Sequence, residues 1–92
     1  MKIPLKDIEF IESLEDYIRI HLQGEKPVMT LMTMKKVLEK LPEDRYRKIH
    51  RSYIIPVNKI QAIANRKVKL LSGRELPISD TYSSFINDLK KS

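Results

Sequence analysis

The chain has no cysteine, no tryptophan and only two glycines among its 92 residues. The absence of cysteine excludes disulfide bonds, thiolate nucleophiles and cysteine-bearing zinc sites, and it is compatible with a reducing compartment. Because Gly24 and Gly73 stand far apart, there is no glycine-rich loop to cradle a phosphate group. No apolar run approaches the roughly 18 residues of a membrane-spanning helix, and the charged N-terminus does not resemble a signal peptide. We therefore expect a cytoplasmic domain that does not contact a membrane.

The composition also argues against an enzyme. A chain of 92 residues, 41% of them hydrophobic, can bury one modest core but cannot enclose a large substrate cavity. His21 and His50 with several lysines would suit the acid–base pair of a metal-independent ribonuclease. His21, however, lies at a polar position of an amphipathic strand, where an exposed histidine is ordinary, and nothing in the sequence brings it near His50. We expect no catalysis, no cofactor and no metal site.

The positive charge is concentrated in the C-terminal half. Residues 1–44 contain seven basic and nine acidic residues, whereas residues 45–92 contain eleven basic and three acidic residues. Within the second half, residues 45–74 include nine lysines or arginines and no acidic residue. Such a stretch gives a positive potential without internal ion pairs, which favours a polyanion, above all nucleic acid, as partner. A lysine-rich face kept for solubility is the alternative interpretation.

Most of the chain shows the two-residue alternation of β-strands. The pattern predicts strands within residues 7–10, 18–22 and 28–31, joined by a polar loop at 12–16 and a turn at 23–26, as an antiparallel meander. Later strands are predicted at residues 49–55, 60–64, 67–70 and 75–78, with turns at residues 65–66 and 72–73. Val68 should be buried between exposed Lys67 and Lys69, and Pro77 should place its strand at a sheet edge.

Two segments have helical spacing instead. One predicted helix runs from Thr33, which is placed to cap it, to Leu41, which precedes Pro42. A second is predicted from Asp80 to Lys90, with Ser79 and Asp80 as candidate N-caps. The residues that carry the spacing are Met34, Val37, Leu38 and Leu41 in the first helix and Tyr82, Phe85, Ile86 and Leu89 in the second. We expect Met29, Met32 and Met34 to pack in the core where strand gives way to helix.

Residues 45–53 are the strongest candidate for a binding segment. They combine guanidinium, ammonium, imidazole, hydroxyl and phenol groups, which covers both base recognition and phosphate contact. Strand alternation places Ile49 on the opposite face from Lys48 and His50, so a buried anchor should lie beneath a polar surface. For His50, a hydrogen-bonded core position is an equally good interpretation.

Several segments together resemble the LytTR family of DNA-binding domains. The resemblance covers nearly the whole chain, and the His-Arg-Ser-Tyr block followed by Leu-Pro-Ile-Ser is its most specific part. The segments are Ile8-Glu9-Phe10-Ile11-Glu12, Asp16-Tyr17-Ile18-Arg19-Ile20, Leu41-Pro42, Lys48-Ile49-His50-Arg51-Ser52-Tyr53-Ile54-Ile55 and Leu76-Pro77-Ile78-Ser79. The resemblance implies a mainly β chain with short helices, in an elongated fold of small antiparallel sheets. It also implies the output domain of a bacterial two-component response regulator, which regulates transcription.

The resemblance further implies sequence-specific binding of duplex DNA, at direct-repeat promoter sites, through loops. Asp16 and Tyr17 would reach a major groove, Arg51 the intervening minor groove, and Ser52 a phosphate. A third contact falls on Asp80, where the family commonly carries arginine. Because an acid facing phosphates is unfavourable, that contact would shift to a neighbour. The neighbours are Thr81 and Ser83, and the candidates added by charge and position are Lys48, His50, Arg66, Lys67 and Lys69.

The organisation that follows is a single LytTR-type domain over residues 1–92, with no receiver domain in this chain. Besides double-stranded DNA, the partners it suggests are a receiver domain in a longer chain and a second copy, as a dimer on DNA. The alternative function is a non-catalytic β-module that binds RNA or protein with the same basic face.

Overall fold

A five-stranded antiparallel sheet forms the centre of the molecule. In the computed structural model, which describes residues 3–82, its strands have the order β3-β2-β1-β5-β4. Strands β1 to β3 pair as the predicted meander, and the β4–β5 hairpin is added on the β1 side. The strands are β1 (Ile8–Leu14), β2 (Tyr17–Leu22), β3 (Val28–Thr30), β4 (Tyr46–His50) and β5 (Tyr53–Pro56).

A second antiparallel sheet has three strands in the order β6-β7-β8. These are β6 (Ile60–Ala64), β7 (Lys67–Leu70) and β8 (Glu75–Pro77). Strand β8 lies at the edge, as Pro77 predicted, because proline has no N–H to donate to a neighbouring strand. The alternation along β7 is also confirmed: Val68 is buried, and Lys67 and Lys69 are exposed.

Helix α1 (Met34–Lys40) begins and ends where the sequence predicts. The Thr33 hydroxyl accepts the backbone N–H of Lys36 at 3.1 Å, which satisfies one of the free donors of the first turn. Met34 and Val37 are the buried residues of the helix. The other helical segments of the described chain are 3₁₀ helices at Leu5–Asp7, Val57–Lys59 and Asp80–Tyr82.

Each face of the five-stranded sheet covers its own core. Ile54 packs toward α1, whereas its neighbour Ile55 packs toward the three-stranded sheet. The first core contains Ile8, Ile11, Ile18, Ile20, Leu22, Met34, Val37, Tyr46 and Ile54. The second contains Phe10, Ile49, Ile55, Val68, Leu70, Leu76 and Ile78. Two thin cores in a row give a mainly β molecule of 34 × 26 × 21 Å, which confirms the predicted fold class.

Two predicted element boundaries were wrong. Residues 12–14 continue β1 instead of forming a loop, since Glu12 pairs across the sheet with Arg19 and the loop shrinks to residues 15–16. The strand predicted at residues 49–55 is broken by a turn at 51–52, so that His50 pairs with Tyr53. Side-chain alternation continues through a tight hairpin turn, and it therefore does not show where a strand reverses.

Two burial predictions were also wrong. His21 is buried, with 9% of its surface exposed, because Phe10 stacks on its ring and Glu12 contacts its Nε2. Met29 is half exposed on the edge strand β3, whereas Met34 is buried and Met32 packs against the first core as expected. The imidazole of His21 is polar, but its contacts with the Glu12 carboxylate and the Phe10 ring allow it to be buried.

The helix predicted from Asp80 to Lys90 lies mostly outside the described residues. Its described part, Asp80–Tyr82, is a 3₁₀ helix, in which the Tyr82 N–H bonds to the Ser79 carbonyl at 3.0 Å. The candidate contact Ser83 and the apolar residues Phe85, Ile86 and Leu89 lie beyond it. No helix within residues 3–82 is long and apolar enough to span a membrane.

Candidate nucleic-acid interface

Backbone hydrogen bonds bring four connecting segments to one end of the molecule. The Ser52 carbonyl accepts the Ser13 N–H at 2.8 Å, which sets the β4–β5 turn beside the β1–β2 turn. The Ile49 carbonyl accepts the Ser79 N–H at 2.9 Å, and the Arg66 carbonyl accepts the Ile78 N–H at 2.8 Å. We call this end, formed by residues 15–17, 51–52, 65–66 and 79–81, the convergent end.

The turn at residues 51–52 is held on both sides. His50 Nδ1 accepts the Ser52 N–H at 3.1 Å, while the Ser52 carbonyl is bound to β1. A backbone N–H can only donate, so Nδ1 carries no proton and Nε2 is the nitrogen free to donate. Arg51 is exposed at the tip, and Ile49 is fully buried beneath it, as the sequence predicted. The arrangement presents one guanidinium on a fixed support.

Arg66 and Asp80 form an ion pair across the convergent end. Arg66 Nη1 lies 3.1 Å from Asp80 Oδ1 and 3.3 Å from Oδ2. Arg66 belongs to the predicted two-residue turn, in which Asn65 and Arg66 both have positive φ, of 53° and 60°. Positive φ at both central residues is the geometry of a type I′ hairpin turn. The sequence predicted both the turn and Asp80 as a candidate, but not their pairing.

Lys48 and Thr81 lie next to this pair. The Lys48 ammonium is 5.4 Å from the centroid of the Tyr82 ring, a cation–π distance, which ties β4 to the 3₁₀ helix Asp80–Tyr82. Thr81 is exposed. Both groups border a cavity of about 290 Å³ between α1 and β4. Asp80 and Thr81, the described candidates for the third contact, therefore lie beside the β4–β5 hairpin that carries Arg51.

Lys67 and Lys69 project from the solvent face of β7. Lys67 pairs with Pro77 and Lys69 with Glu75, so the second lysine has a carboxylate across the ladder. Lys67 follows Arg66 directly, and Lys69 lies two residues farther from the convergent end. This face extends the positive charge away from the turns and suits contact with a polyanionic backbone.

Asp16 lies in the β1–β2 turn, where Glu15 has a φ of 33°, and Tyr17 begins β2 directly after it. Both are exposed, and Tyr17 keeps 46% of its surface accessible. Because Ser13 bonds to Ser52, this turn and the Arg51 turn lie side by side. The three contact regions implied by the resemblance thus share one end of the fold, although their contact with DNA stays a prediction.

The two histidines stand at the ends of a row of four aromatic rings. His21 stacks on Phe10 at 4.0 Å, Phe10 meets Tyr53 edge-on at 6.1 Å, and Tyr53 tilts against His50 at 5.5 Å. His21 Nε2 is held by Glu12 Oε1 at 3.0 Å. The row separates the imidazoles, so they do not form an acid–base pair around one substrate.

Sequence reasoning missed the Glu12–His21 pair and the Arg66–Asp80 pair. Counting outward from the Ser72-Gly73 turn places residue 78 opposite residue 66, but the contact of Asp80 with Arg66 also depends on the bond from Ser79 to Ile49. The first would have required the length of β1. Within residues 3–82, no cluster of three or more histidine, aspartate or glutamate side chains could hold a metal ion.

Comparisons with known proteins agree with the fold. A family model described as the LytTr DNA-binding domain matches residues 1–91. Among solved structures, the chain is similar to a Bacillus cereus structure described as the LytTr DNA-binding domain of a methyl-accepting/DNA response regulator. The TM-score is 0.82 at 22% identity, over 97% of this chain and 85% of that chain. A comparison with curated protein sequences finds no match.

Proposed function

The chain belongs to the LytTR family of DNA-binding domains, and on that premise we propose that it binds duplex DNA with sequence preference through the convergent end. The family assignment supports DNA binding and a role in transcription regulation. The preference for a particular sequence goes beyond that assignment, and it rests on the exposed guanidinium of Arg51 in a turn held at both ends. A guanidinium on a held backbone turn loses less conformational entropy on binding than one on a mobile loop.

The residues of the convergent end and those beside it have different tasks. Arg51 enters a groove, and Ser52 contacts the adjacent phosphate with its hydroxyl. His50 contributes a donor at Nε2 while it holds the turn. Asp16 and Tyr17 approach the groove on one side, and Asp80 and Thr81 approach the groove on the other. Lys48, Lys67 and Lys69 supply positive charge for the phosphates, and Arg66 adds a guanidinium beside Asp80.

The short helix α1 supports contact through turns instead of a recognition helix. It has seven residues and packs Met34 and Val37 into the first core. A helix that reads a major groove presents several side chains to base edges. The β4–β5 and β6–β7 turns are the exposed basic features that the sheets hold in place.

Selection of binding sites from random duplex DNA tests the proposal. The chain should enrich one sequence, and Arg51→Ala should lower affinity for it and relax the preference at one or two base pairs. Arg45→Ala is the matched control, because Arg45 is exposed at the opposite end of β4. No enrichment by the wild-type chain, together with tighter binding to structured RNA, would favour the alternative of an RNA-binding module.

Assembly on DNA is a further part of the proposal. On direct repeats, two copies of the chain would bind one duplex in the same orientation. A receiver domain in a longer chain would control their proximity. Duplexes with one or two copies of the selected site should bind one or two chains. Equal stoichiometry on both duplexes would exclude independent occupation of repeats.

A further inference from the structure

We infer that Arg66 and Asp80 act together as one base-reading unit, in which Asp80 holds the Arg66 guanidinium for a guanine edge. The inference rests on the proposed function and deepens it, because it assigns the base preference at the third contact to a pair of residues. Asp80 is then a positioning residue, and Arg66 is the group that touches the base.

The backbone fixes both residues relative to each other. Arg66 is one of two consecutive residues with positive φ, so its turn is tightly defined, and its carbonyl is bound to the Ile78 N–H at 2.8 Å. Two residues farther along, Asp80 begins a 3₁₀ helix whose preceding residue, Ser79, is bound to Ile49 of β4. The pair is thereby tied to the same hairpin that carries Arg51.

The side chains meet through a single nitrogen. Arg66 Nη1 lies within 3.3 Å of both carboxylate oxygens of Asp80. Both contacts use Nη1, and the other donors of the guanidinium are carried by Nη2 and Nε. Two adjacent donors in the guanidinium plane match O6 and N7 of guanine in the major groove.

Stability does not explain the pair. The side chains of Arg66 and Asp80 are 77% and 75% exposed, and ion pairs in such positions contribute little to folding because water screens them. The pair becomes consequential when a duplex excludes that water. Asp80 then restricts the guanidinium to few rotamers and offsets its attraction to phosphates, while Arg66 neutralises an acid that phosphates would otherwise repel.

If the two residues form one unit, the two single variants should have the same effect at one base pair. Asp80→Asn and Arg66→Lys should both reduce discrimination at the same base pair, by about 5- to 150-fold, the range that one bidentate arginine–guanine contact provides. Asp80→Asn should also bind unrelated DNA more tightly, because a negative charge is removed. The double variant should lose no more discrimination than either single variant, since the two residues form one unit.

Site selection with the wild-type chain, both single variants and the double variant is the test, with thermal melting as a check on folding. Lys67→Ala is the control, because it removes a neighbouring exposed cation and should weaken all sequences alike. Unchanged profiles for Asp80→Asn, or losses at different base pairs for the two variants, would overturn the inference. The second result would mean that Asp80 contacts a base directly, as an acceptor from cytosine. A wild-type chain that selects no sequence would overturn the proposed function itself.

Discussion

His50 Nδ1 accepts the backbone N–H of Ser52 at 3.1 Å, and this contact closes the turn that carries Arg51. The Ser52 carbonyl accepts the Ser13 N–H of β1, so the two hydrogen bonds hold the two peptide groups that flank Ser52. The His-Arg-Ser order of the sequence thus has a structural reason. The first residue supports the third, and the second projects between them.

Replacement of His50 separates this support from mere side-chain volume. His50→Ala removes the acceptor and should cost about 1 kcal/mol of unfolding free energy. It should weaken binding to the preferred DNA site roughly tenfold, or by about 1.4 kcal/mol, through the lost support of the turn and the lost Nε2 donor. His50→Asn, whose amide oxygen can accept from the N–H two residues on, should recover part of both losses. Urea unfolding and titration with the selected duplex measure the two effects. Equal affinity of His50→Ala and the wild-type chain would contradict the role.

The sequence predicted the regular parts of the fold well, and the reason is visible in β7 and α1. Val68 between two lysines, and Thr33 before the apolar spacing of α1, are local patterns with one physical solution each. The turn after His50 was not predictable in this way. Its geometry depends on a side-chain to backbone contact, and the alternation of residue types runs through it unchanged.

The candidate site was predictable in outline but not in its pairings. Charge and resemblance named Arg66 and Asp80 separately, because each was judged on its own segment. Their ion pair needs the register of β7 with β8 and the bond from Ser79 to Ile49. Burial of His21 had the same origin, since Glu12 became its partner only when β1 extended past the predicted loop.

Salt dependence should separate phosphate contacts from base contacts. Each phosphate neutralised contributes about −0.9 to the slope of log affinity against log salt, and we expect roughly four to six contacts. Lys69→Ala should reduce the magnitude of the slope by about 0.9 and leave the preferred sequence intact. Lys26→Ala, in the exposed turn at the opposite end of the five-stranded sheet, should leave both unchanged. A slope near zero for the wild-type chain would contradict binding through contacts with DNA phosphates.

Phe10 should be a principal stabilising residue of the second core. It is 2% exposed, stacks on His21, and lies 5.2 Å from the Arg74 guanidinium carbon. Phe10→Ala should lower the unfolding free energy by about 3–5 kcal/mol, because it removes the ring that joins the two sheets and leaves a cavity. Leu31→Ala, at a position 70% exposed, is the control and should change stability by less than about 0.5 kcal/mol. Denaturant unfolding of both variants decides the matter, and a loss under about 1 kcal/mol for Phe10→Ala would contradict the assignment.

Tyr46 should make the fold sensitive to alkaline pH. Burial raises the pKa of its phenol above the ordinary value of 10.0, against a smaller lowering by Arg45, and its hydroxyl donates to the Leu5 carbonyl at 3.2 Å. The unfolded chain therefore loses this proton at lower pH than the folded chain. Its contribution to stability is complete below pH 10 and declines above it, at up to about 1.4 kcal/mol per pH unit. Tyr46→Phe should lower the unfolding free energy by about 1 kcal/mol at neutral pH through the lost hydrogen bond. Between pH 9 and 11, however, the unfolding free energy of the variant should fall less steeply than that of the wild-type chain. Because the two proteins differ only at residue 46, the difference between their unfolding curves isolates Tyr46. Parallel curves for the two proteins across this range would show that its phenol ionises equally well in the folded chain.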